Sequence, residues 1–175
     1  LIPVLADMEN TGIRVDRDQL REFSKQLEVT IQGTSKRIFE LAGQEFTIGS
    51  PKQLGEVLFE KLRLPGAQKT KTGYATGVEV LQLVPPEYEI AGLVLSWREL
   101  SKLKSTYADA LGGLIREDGR IHTTYNMTVA ATGRLSSYDP NLQNIPIRTE
   151  LGRGIRKAFH PDNGYQLGWF DGARR

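Results

Sequence analysis

The spacing of apolar residues changes along this chain, and that change limits the fold more than any other feature of the sequence. Up to about residue 111, apolar side chains recur every three or four positions, as on the buried face of a helix. Asp118-Gly119 is a pair typical of hairpin turns, and after it apolar or β-branched side chains alternate with polar ones over residues 121–128, as in a half-buried strand. Helices followed by strands predict an α+β fold with a boundary near residues 112–120.

Capping residues predict where the first helices begin and end. Asp16 followed by Gln19 resembles a capping box, and Gly43 favours the end of the helix that starts there. Ser50-Pro51 is typical of a second helix start. Residues 65–75 then combine glycines with lysines, which predicts an exposed flexible loop.

A long helix is predicted from about Glu87 to Leu111. Lys102, Lys104 and Ser105 fall outside its apolar stripe, so we expect them to face outward. Such a face fits a solvated cationic surface favoured by the helix dipole. These residues alone favour that interpretation over a binding surface.

Composition excludes several classes of protein. The 175 residues include 23 basic and 21 acidic side chains, and the net charge of +2 is uneven, because residues 1–97 carry −2 and residues 98–175 carry +4. An excess of positive charge in one part weakly indicates a polyanionic partner. The absence of cysteine excludes a disulfide framework and thiolate metal sites. No apolar run approaches the ~20 residues that a membrane span needs, so we expect no membrane partner.

Residues 131–148 form the most informative segment. Three amides, Asn141, Gln143 and Asn144, can each donate and accept hydrogen bonds, and Arg134 and Arg148 supply planar guanidinium donors. Such donors suit the minor-groove edge of a duplex, where every base pair presents acceptors. The alternative is an irregular loop whose amides bond to their own backbone. Composition favours neither of these two interpretations.

The same segment carries a resemblance to a known family. Residues 132–146 read Thr-Gly-Arg-Leu-Ser-Ser-Tyr-Asp-Pro-Asn-Leu-Gln-Asn-Ile-Pro, which closely resembles the palm-entry motif of family A DNA polymerases, the bacterial DNA polymerase I type. The resemblance continues through residues 147–152 and 155–159. Residues 100–107 are similar to the thumb motif of that family, and residues 3–16 to the segment after its exonuclease-like domain. The resemblance therefore covers nearly the whole chain, in order.

The resemblance implies a fold and a set of DNA contacts. Residues 1–112 would form a mainly helical thumb subdomain, and residues 113–175 the incomplete N-terminal part of the palm. The partner would be a primer-template duplex, held through its phosphates and its minor groove, with Arg134 at the primer-terminal pair. The implied DNA-binding residues are Lys69, Lys71, Lys102, Lys104, Ser105, Thr106, Arg134, Asn141, Gln143, Asn144 and Arg148.

The family's chemistry uses two Mg²⁺ ions held by carboxylates. Asp171 falls where the first carboxylate of the family belongs, which makes it the candidate catalytic and metal-binding residue. Its neighbours in residues 167–175 depart from the family pattern, so an exposed aspartate in a frayed tail is the alternative. We expect an altered or frameshifted end, in preference to a truncation or a natural terminus. We also expect that this chain alone binds no metal stably.

Two functions from different classes follow. In the first, the chain is part of a DNA-directed DNA polymerase, a nucleotidyltransferase of replication and repair. It is then not catalytically competent alone, because the fingers and the second catalytic carboxylate have no counterpart here, and dNTPs would bind only with those parts. In the second, it is a stand-alone, non-catalytic module that binds duplex DNA; a helical scaffold without a nucleic-acid role is a third option. The resemblance further implies a monomer in the bacterial cytoplasm, associated with the nucleoid.

Overall fold

The computed structural model describes residues 1–145 and 150–166. The helices over these residues are α1 (Ile2–Thr11), α2 (Arg17–Ala42), α3 (Pro51–Gly55), α4 (Val78–Leu81), α5 (Glu89–Leu103), α6 (Ala110–Leu114) and α7 (Glu150–Arg156). The strands are β1 (Ile13–Val15), β2 (Lys69–Thr70), β3 (Gly73–Tyr74), β4 (Arg120–Ile121), β5 (Thr124–Asn126), β6 (Ser136–Tyr138) and β7 (Phe159–His160). Two π-helical segments, Glu56–Lys61 and Lys104–Asp109, continue α3 and join α5 to α6. Helices with small antiparallel sheets confirm the predicted α+β class.

The chain forms two compact units. Unit 1 consists of residues 1–25 and 105–175, and unit 2 of residues 26–104. The divisions fall within α2 and within the second π-helical segment, whereas the sequence predicts a single boundary near residues 112–120. Because the helical pattern of apolar residues continues through both divisions, periodicity gives no sign of them.

Unit 1 contains a three-stranded antiparallel sheet in the order β4-β1-β7. Ile13 of β1 pairs with Ile121 of β4, and Val15 pairs with Phe159 of β7. The side chains of Val15, Ile121 and Phe159 are buried. Three residues are too few for a strand pattern to be recognised, and the partners of β1 come from the other end of the chain, so the sequence did not predict this central strand.

The start of α2 follows its local sequence. The Asp16 carboxylate accepts hydrogen bonds from the backbone N–H groups of Asp18, at 2.9 Å, and of Gln19, at 3.0 Å, which confirms Asp16 as the N-cap. The N–H of Gln19 is the main cause that lowers the pKa of Asp16. The Gln19 side chain bonds to His160 Nε2 at 3.2 Å, so it does not complete a capping box.

Unit 2 has a continuous apolar core. Its buried residues come from α2 to α5 and the segments between them: Ile38, Ala42, Ile48, Leu54, Val57, Leu58, Phe59, Leu64, Val80, Leu81, Val84, Ile90, Ala91 and Val94. Ser50 caps α3 as predicted, since its side chain accepts from the N–H of Gln53. The α2 helix ends at Ala42, before Gly43 with its φ of 65°, as the sequence predicts.

The loop predicted over residues 65–75 is in part a β-hairpin, so that prediction was wrong for this stretch. Lys69 pairs with Tyr74 and Thr70 pairs with Gly73. The Tyr74 ring lies 5.4 Å from the ring of Phe59, which attaches the hairpin to the core of unit 2. Strands of two residues are too short to show alternation, and the aromatic contact that favours the hairpin depends on tertiary packing.

Of the helix and the strand predicted on either side of the Asp118-Gly119 turn, the helix is present and the strand is divided in two. The helix expected from Glu87 to Leu111 is confirmed as a continuous helical run from Glu89 to Leu114, formed by α5, the π-helical segment and α6. The strand expected over residues 121–128 is divided between β4 and β5. The turn at Asp118-Gly119 is present, with Gly119 at a φ of 76°. The N–H of Arg116, before the turn, donates to the carbonyl of Arg120 at 2.9 Å, and the strand partner of β4 is β1.

Candidate nucleic-acid interface

The predicted minor-groove segment begins in a second sheet of unit 1. β5 and β6 pair antiparallel, with Tyr125 opposite Ser137. The connection between them contains Gly133, at a φ of 72° that favours glycine, followed by Arg134, whose side chain is exposed. Glu9 of α1 fixes the hairpin, because its carboxylate accepts from the backbone N–H of Tyr125 at 2.7 Å.

Two buried hydroxyl groups tie this sheet to the loop that follows. Thr123 Oγ1 and Ser137 Oγ lie 2.8 Å apart. Thr123 Oγ1 also lies 2.7 Å from the carbonyl oxygen of Pro140, and the N–H of Leu142 donates to Ser137 Oγ at 3.0 Å. The two side chains are 7% and 2% exposed, so these bonds do not compete with water. The alternation over residues 121–128 indicates burial of Thr123 and gives no such sign for Ser137, and sequence reasoning assigned a functional role to neither residue.

Two of the predicted groove-reading amides bond to their own loop. Gln143 Oε1 accepts from the N–H of Ser137 at 3.1 Å, and Gln143 Nε2 donates to the carbonyl of Leu135 at 3.0 Å. Asn141 Oδ1 accepts from the N–H of Gln143 at 3.0 Å, which is an Asx turn. The sequence left open whether these amides serve the backbone. For both atoms of the Gln143 amide and for the Asn141 oxygen, the structure shows that they do.

The predicted DNA-binding residues of unit 1 that the structure describes are exposed at the surface. The side chains of Arg134, Asn141 and Asn144 are exposed, as are Ser105 and Thr106. We name residues 134–144 the reading loop.

A buried tyrosine supports the end of the reading loop. The hydroxyl of Tyr107 donates to the carbonyl of Asn144, and burial raises the pKa of Tyr107. Tyr107 directly follows Thr106 in the π-helical segment. This segment and the end of the reading loop therefore lie side by side.

The predicted lysines of unit 2 differ in their surroundings. Lys69 and Lys71 belong to the β2–β3 hairpin and are exposed, and Lys102 of α5 is exposed as predicted. Lys104 differs from the prediction, because its side chain is only 23% exposed and its Nζ lies 3.4 Å from the Glu28 carboxylate. That ion pair arises because α2 runs beside α5 within this unit, a proximity that the pattern of a single helix does not contain.

The predicted metal site cannot be located. Asp171 and Arg148 lie outside the described residues. Within residues 1–145 and 150–166, no group of three or more His, Asp or Glu side chains is placed to hold a metal ion. The Asp162 carboxylate, in the same part of the sequence, binds the guanidinium groups of Arg14, at 3.3 Å, and Arg120. The described donor groups therefore do not fit a two-metal centre, and no metal-dependent step is assigned to them.

Gly154 of α7 has a packing role. The resemblance implies a long polar or basic residue at this position, so glycine predicts the loss of one backbone or phosphate contact. A Cβ atom at this position would lie 2.7 Å from Cε2 of Phe23 and 3.3 Å from two further ring atoms. The ring of Phe23 thus occupies the space that any side chain at residue 154 would need.

Comparison with known proteins identifies the family of this chain. Residues 17–171 match the family model described as DNA polymerase family A. The chain belongs to DNA polymerase family A.

Its relatives include the DNA polymerase I of several bacteria. The chain is 51% identical to that of Geobacillus stearothermophilus over 162 residues, which are 92% of this chain and 18% of the relative. It is 49% identical to that of Caldicellulosiruptor bescii over 168 residues, which are 95% of this chain and 20% of the relative. The chain thus spans about a fifth of the length of these relatives.

A solved structure has the same fold. The POL domain of Pol1 from M. smegmatis, in complex with DNA primer-template and dNTP, matches with a TM-score of 0.82 and 45% sequence identity, over 93% of this chain and 29% of that one. Among the described residues, no helix has both the length and the apolar character needed to cross a membrane.

Proposed function

We propose that this chain is part of a DNA-directed DNA polymerase and that it holds the primer-template duplex through phosphates and through the minor groove. Residues 1–112 would serve as the thumb and residues 113–175 as the start of the palm. Membership of the family supports the proposal, and so does the relative solved with primer-template DNA. Such a protein would act as a monomer on the bacterial chromosome, in the cytoplasm.

The observation that carries the proposal is the reading loop of unit 1. Its internal hydrogen bonds engage both polar atoms of the Gln143 amide and leave the donors of Arg134 and Asn141 at the surface. A duplex presents purine N3 and pyrimidine O2 acceptors along the minor groove at every base pair. Exposed donors on a fixed backbone can bind these acceptors whatever the base sequence, as copying any template requires.

The lysines of the β2–β3 hairpin would supply phosphate contacts. Lys69 and Lys71 are exposed on a hairpin whose own hydrogen bonds hold it together. Phosphate contacts do not depend on base sequence, and each one makes binding more sensitive to salt. Lys104 contributes less than the sequence suggests, because Glu28 already neutralises its charge.

The test is the salt dependence of duplex binding. Fluorescence anisotropy with a labelled primer-template duplex gives the association constant over a range of salt concentrations. In the Lys69→Ala/Lys71→Ala variant, the slope of log K against log salt should decrease by about 2, since each phosphate contact contributes about 0.9. The control, Lys36→Ala/Lys52→Ala, removes the same charge from other exposed positions of unit 2 and should keep the native slope. Equal slopes in all three proteins would contradict the proposed phosphate contacts.

Catalysis by the isolated chain is not expected. Nucleotidyl transfer needs two metal ions held by carboxylates, and the sequence offers Asp171 as its single candidate. A labelled primer-template with Mg²⁺ and all four dNTPs should therefore show no extension above a buffer blank. Measurable extension would show that this chain holds a complete centre.

A further inference from the structure

The buried hydroxyls of Thr123 and Ser137 form hydrogen bonds to residues outside β5 and β6. Thr123 directly precedes β5, and Ser137 is the middle residue of β6. Both hydroxyls contact the loop beyond β6, at the Pro140 carbonyl and at the Leu142 N–H. Within this stretch the backbone of Asp139 has a φ of 51°, a conformation that residues other than glycine rarely adopt. The hydroxyl pair therefore holds the loop at the point where its backbone is least regular.

The chemistry of the groups fixes the direction of the two outer bonds, and in the central one either hydroxyl can donate. A carbonyl oxygen only accepts, and a backbone N–H only donates. The N–H of Leu142 donates to Ser137 Oγ, and the Pro140 carbonyl accepts, with Thr123 Oγ1 as its nearer neighbour at 2.7 Å against 3.2 Å for Ser137 Oγ. Thr123 Oγ1 also lies 3.0 Å from the carbonyl oxygen of Tyr138. The shortest contacts form one arrangement, which runs from Leu142 N–H to Ser137, between the hydroxyls of Ser137 and Thr123, and from Thr123 to Pro140. We name it the hydroxyl chain.

The Gln143 amide reinforces the same stretch from its other side. Its oxygen and nitrogen bond to the backbone of Ser137 and Leu135. The backbone next to Arg134 is thus tied to the backbone next to Asn141, although the two residues are separated along the chain. Because the loop is ordered before it binds, it loses less conformational entropy on binding than a mobile loop would.

We propose that Thr123 and Ser137 are positioning residues for minor-groove recognition, and that Gln143 is a third positioning residue. The hydroxyl chain keeps Arg134 and Asn141 in one fixed relation, so that both meet groove acceptors at once. This inference rests on the proposed function. It assigns a role in recognition to two buried hydroxyl groups that the duplex never touches.

A pair of variants isolates the hydroxyl. Thr123→Val keeps the size and shape of the side chain and removes only the O–H, whereas Thr123→Ser keeps the O–H and removes a methyl group. Ser137→Ala interrupts the same chain at its other member. None of these changes alters an exposed side chain. The melting temperature of each variant is measured by circular dichroism, and binding is assayed below it.

The probe is a primer-template duplex in which the adenines nearest the primer end are replaced by 3-deazaadenine. This base lacks the N3 acceptor of the minor groove and keeps base pairing and phosphates. The native chain and Thr123→Ser should bind the modified duplex about tenfold more weakly than the normal one, the size expected for losing a directed contact to a base. In Thr123→Val and Ser137→Ala this ratio should approach one, and the slope of log K against log salt should keep its native value.

The outcomes separate the two proposals. If the native chain shows no salt-dependent duplex binding, the proposed function fails and the inference fails with it. If the native chain distinguishes the two duplexes and Thr123→Val distinguishes them equally well, only the positioning role is refuted. Hydrogen exchange of the Leu142 amide provides a measurement without DNA. It should be slow in the native chain and in Thr123→Ser and at least tenfold faster in Thr123→Val, and equal rates would overturn the hydroxyl chain.

Discussion

Replacing Gly154 with alanine should destabilise the protein, although alanine favours helices more than glycine does. In α7 the new Cβ atom would lie 2.7 Å from Cε2 of Phe23, closer than carbon atoms approach without movement. Overpacking of this kind costs about 1–3 kcal/mol. The higher helix propensity of alanine offsets about 1 kcal/mol of this cost. The expected result is a free energy of unfolding lower than the native value by about 1 kcal/mol.

Gly92 provides the matched control for this substitution. It is exposed in α5, and a Cβ atom there would meet no other atom within 4 Å. Gly92→Ala should therefore stabilise the protein by the full propensity difference, about 1 kcal/mol. The two variants make the same chemical change in helices, so the difference of about 2 kcal/mol between them measures the Phe23 contact.

Urea unfolding followed by circular dichroism gives the free energy for each variant. A third measurement, Gly154→Ala in a Phe23→Leu background, removes the ring atoms that collide with Cβ. The penalty of the alanine should then disappear, with a coupling energy of about 1 kcal/mol or more. If Gly154→Ala stabilises the native protein as much as Gly92→Ala does, the packing role assigned to Gly154 is refuted.

Other predictions concern the N-cap of α2 and the support of the reading loop. Asp16→Ala should lower the free energy of unfolding by about 1 kcal/mol, measured in urea at neutral pH. Because the N–H of Gln19 lowers the pKa of Asp16, this contribution is complete above the unfolded pKa of about 4 and is lost as the pH falls through the folded pKa, so the variant and the native protein should converge in acid. Tyr107→Phe removes the hydroxyl that donates to the Asn144 carbonyl and should cost about 1 kcal/mol in the same assay. Tyr165→Phe, at a tyrosine that is 75% exposed, should change nothing.

Features set by neighbours in the sequence were predictable. Asp16 and Ser50 cap helices because their side chains bond to N–H groups two or three residues later. Gly43 ends α2 because the chain needs a positive φ there. In each case the partner lies within one turn of the helix, so a short window of sequence contains the whole interaction.

Features that depend on distant partners were not predictable. The central strand β1 exists because Ile13 and Val15 meet residues from the other end of the chain. Lys104 faces Glu28 only because two helices lie together.

The candidate site likewise has a part that was predictable from local sequence and a part that depends on tertiary contacts. Its segment was recognisable from sequence, but the internal role of Gln143 and the buried state of Ser137 depend on how residues 139–144 fold back on β6. The sequence therefore located the reading loop without distinguishing the side chains that support it from those that it exposes.

The most direct test of the account is the affinity of Arg134→Ala for primer-template duplexes of several unrelated sequences. Arg116→Ala is the control, because Arg116 is also an exposed arginine of unit 1 but lies outside the reading loop. The native chain should bind all sequences with similar affinity, and Arg134→Ala should weaken each by about 1–3 kcal/mol while Arg116→Ala stays near the native value. If both variants lose the same small amount, or if the native affinity depends strongly on sequence, the reading loop does not hold the duplex through the minor groove.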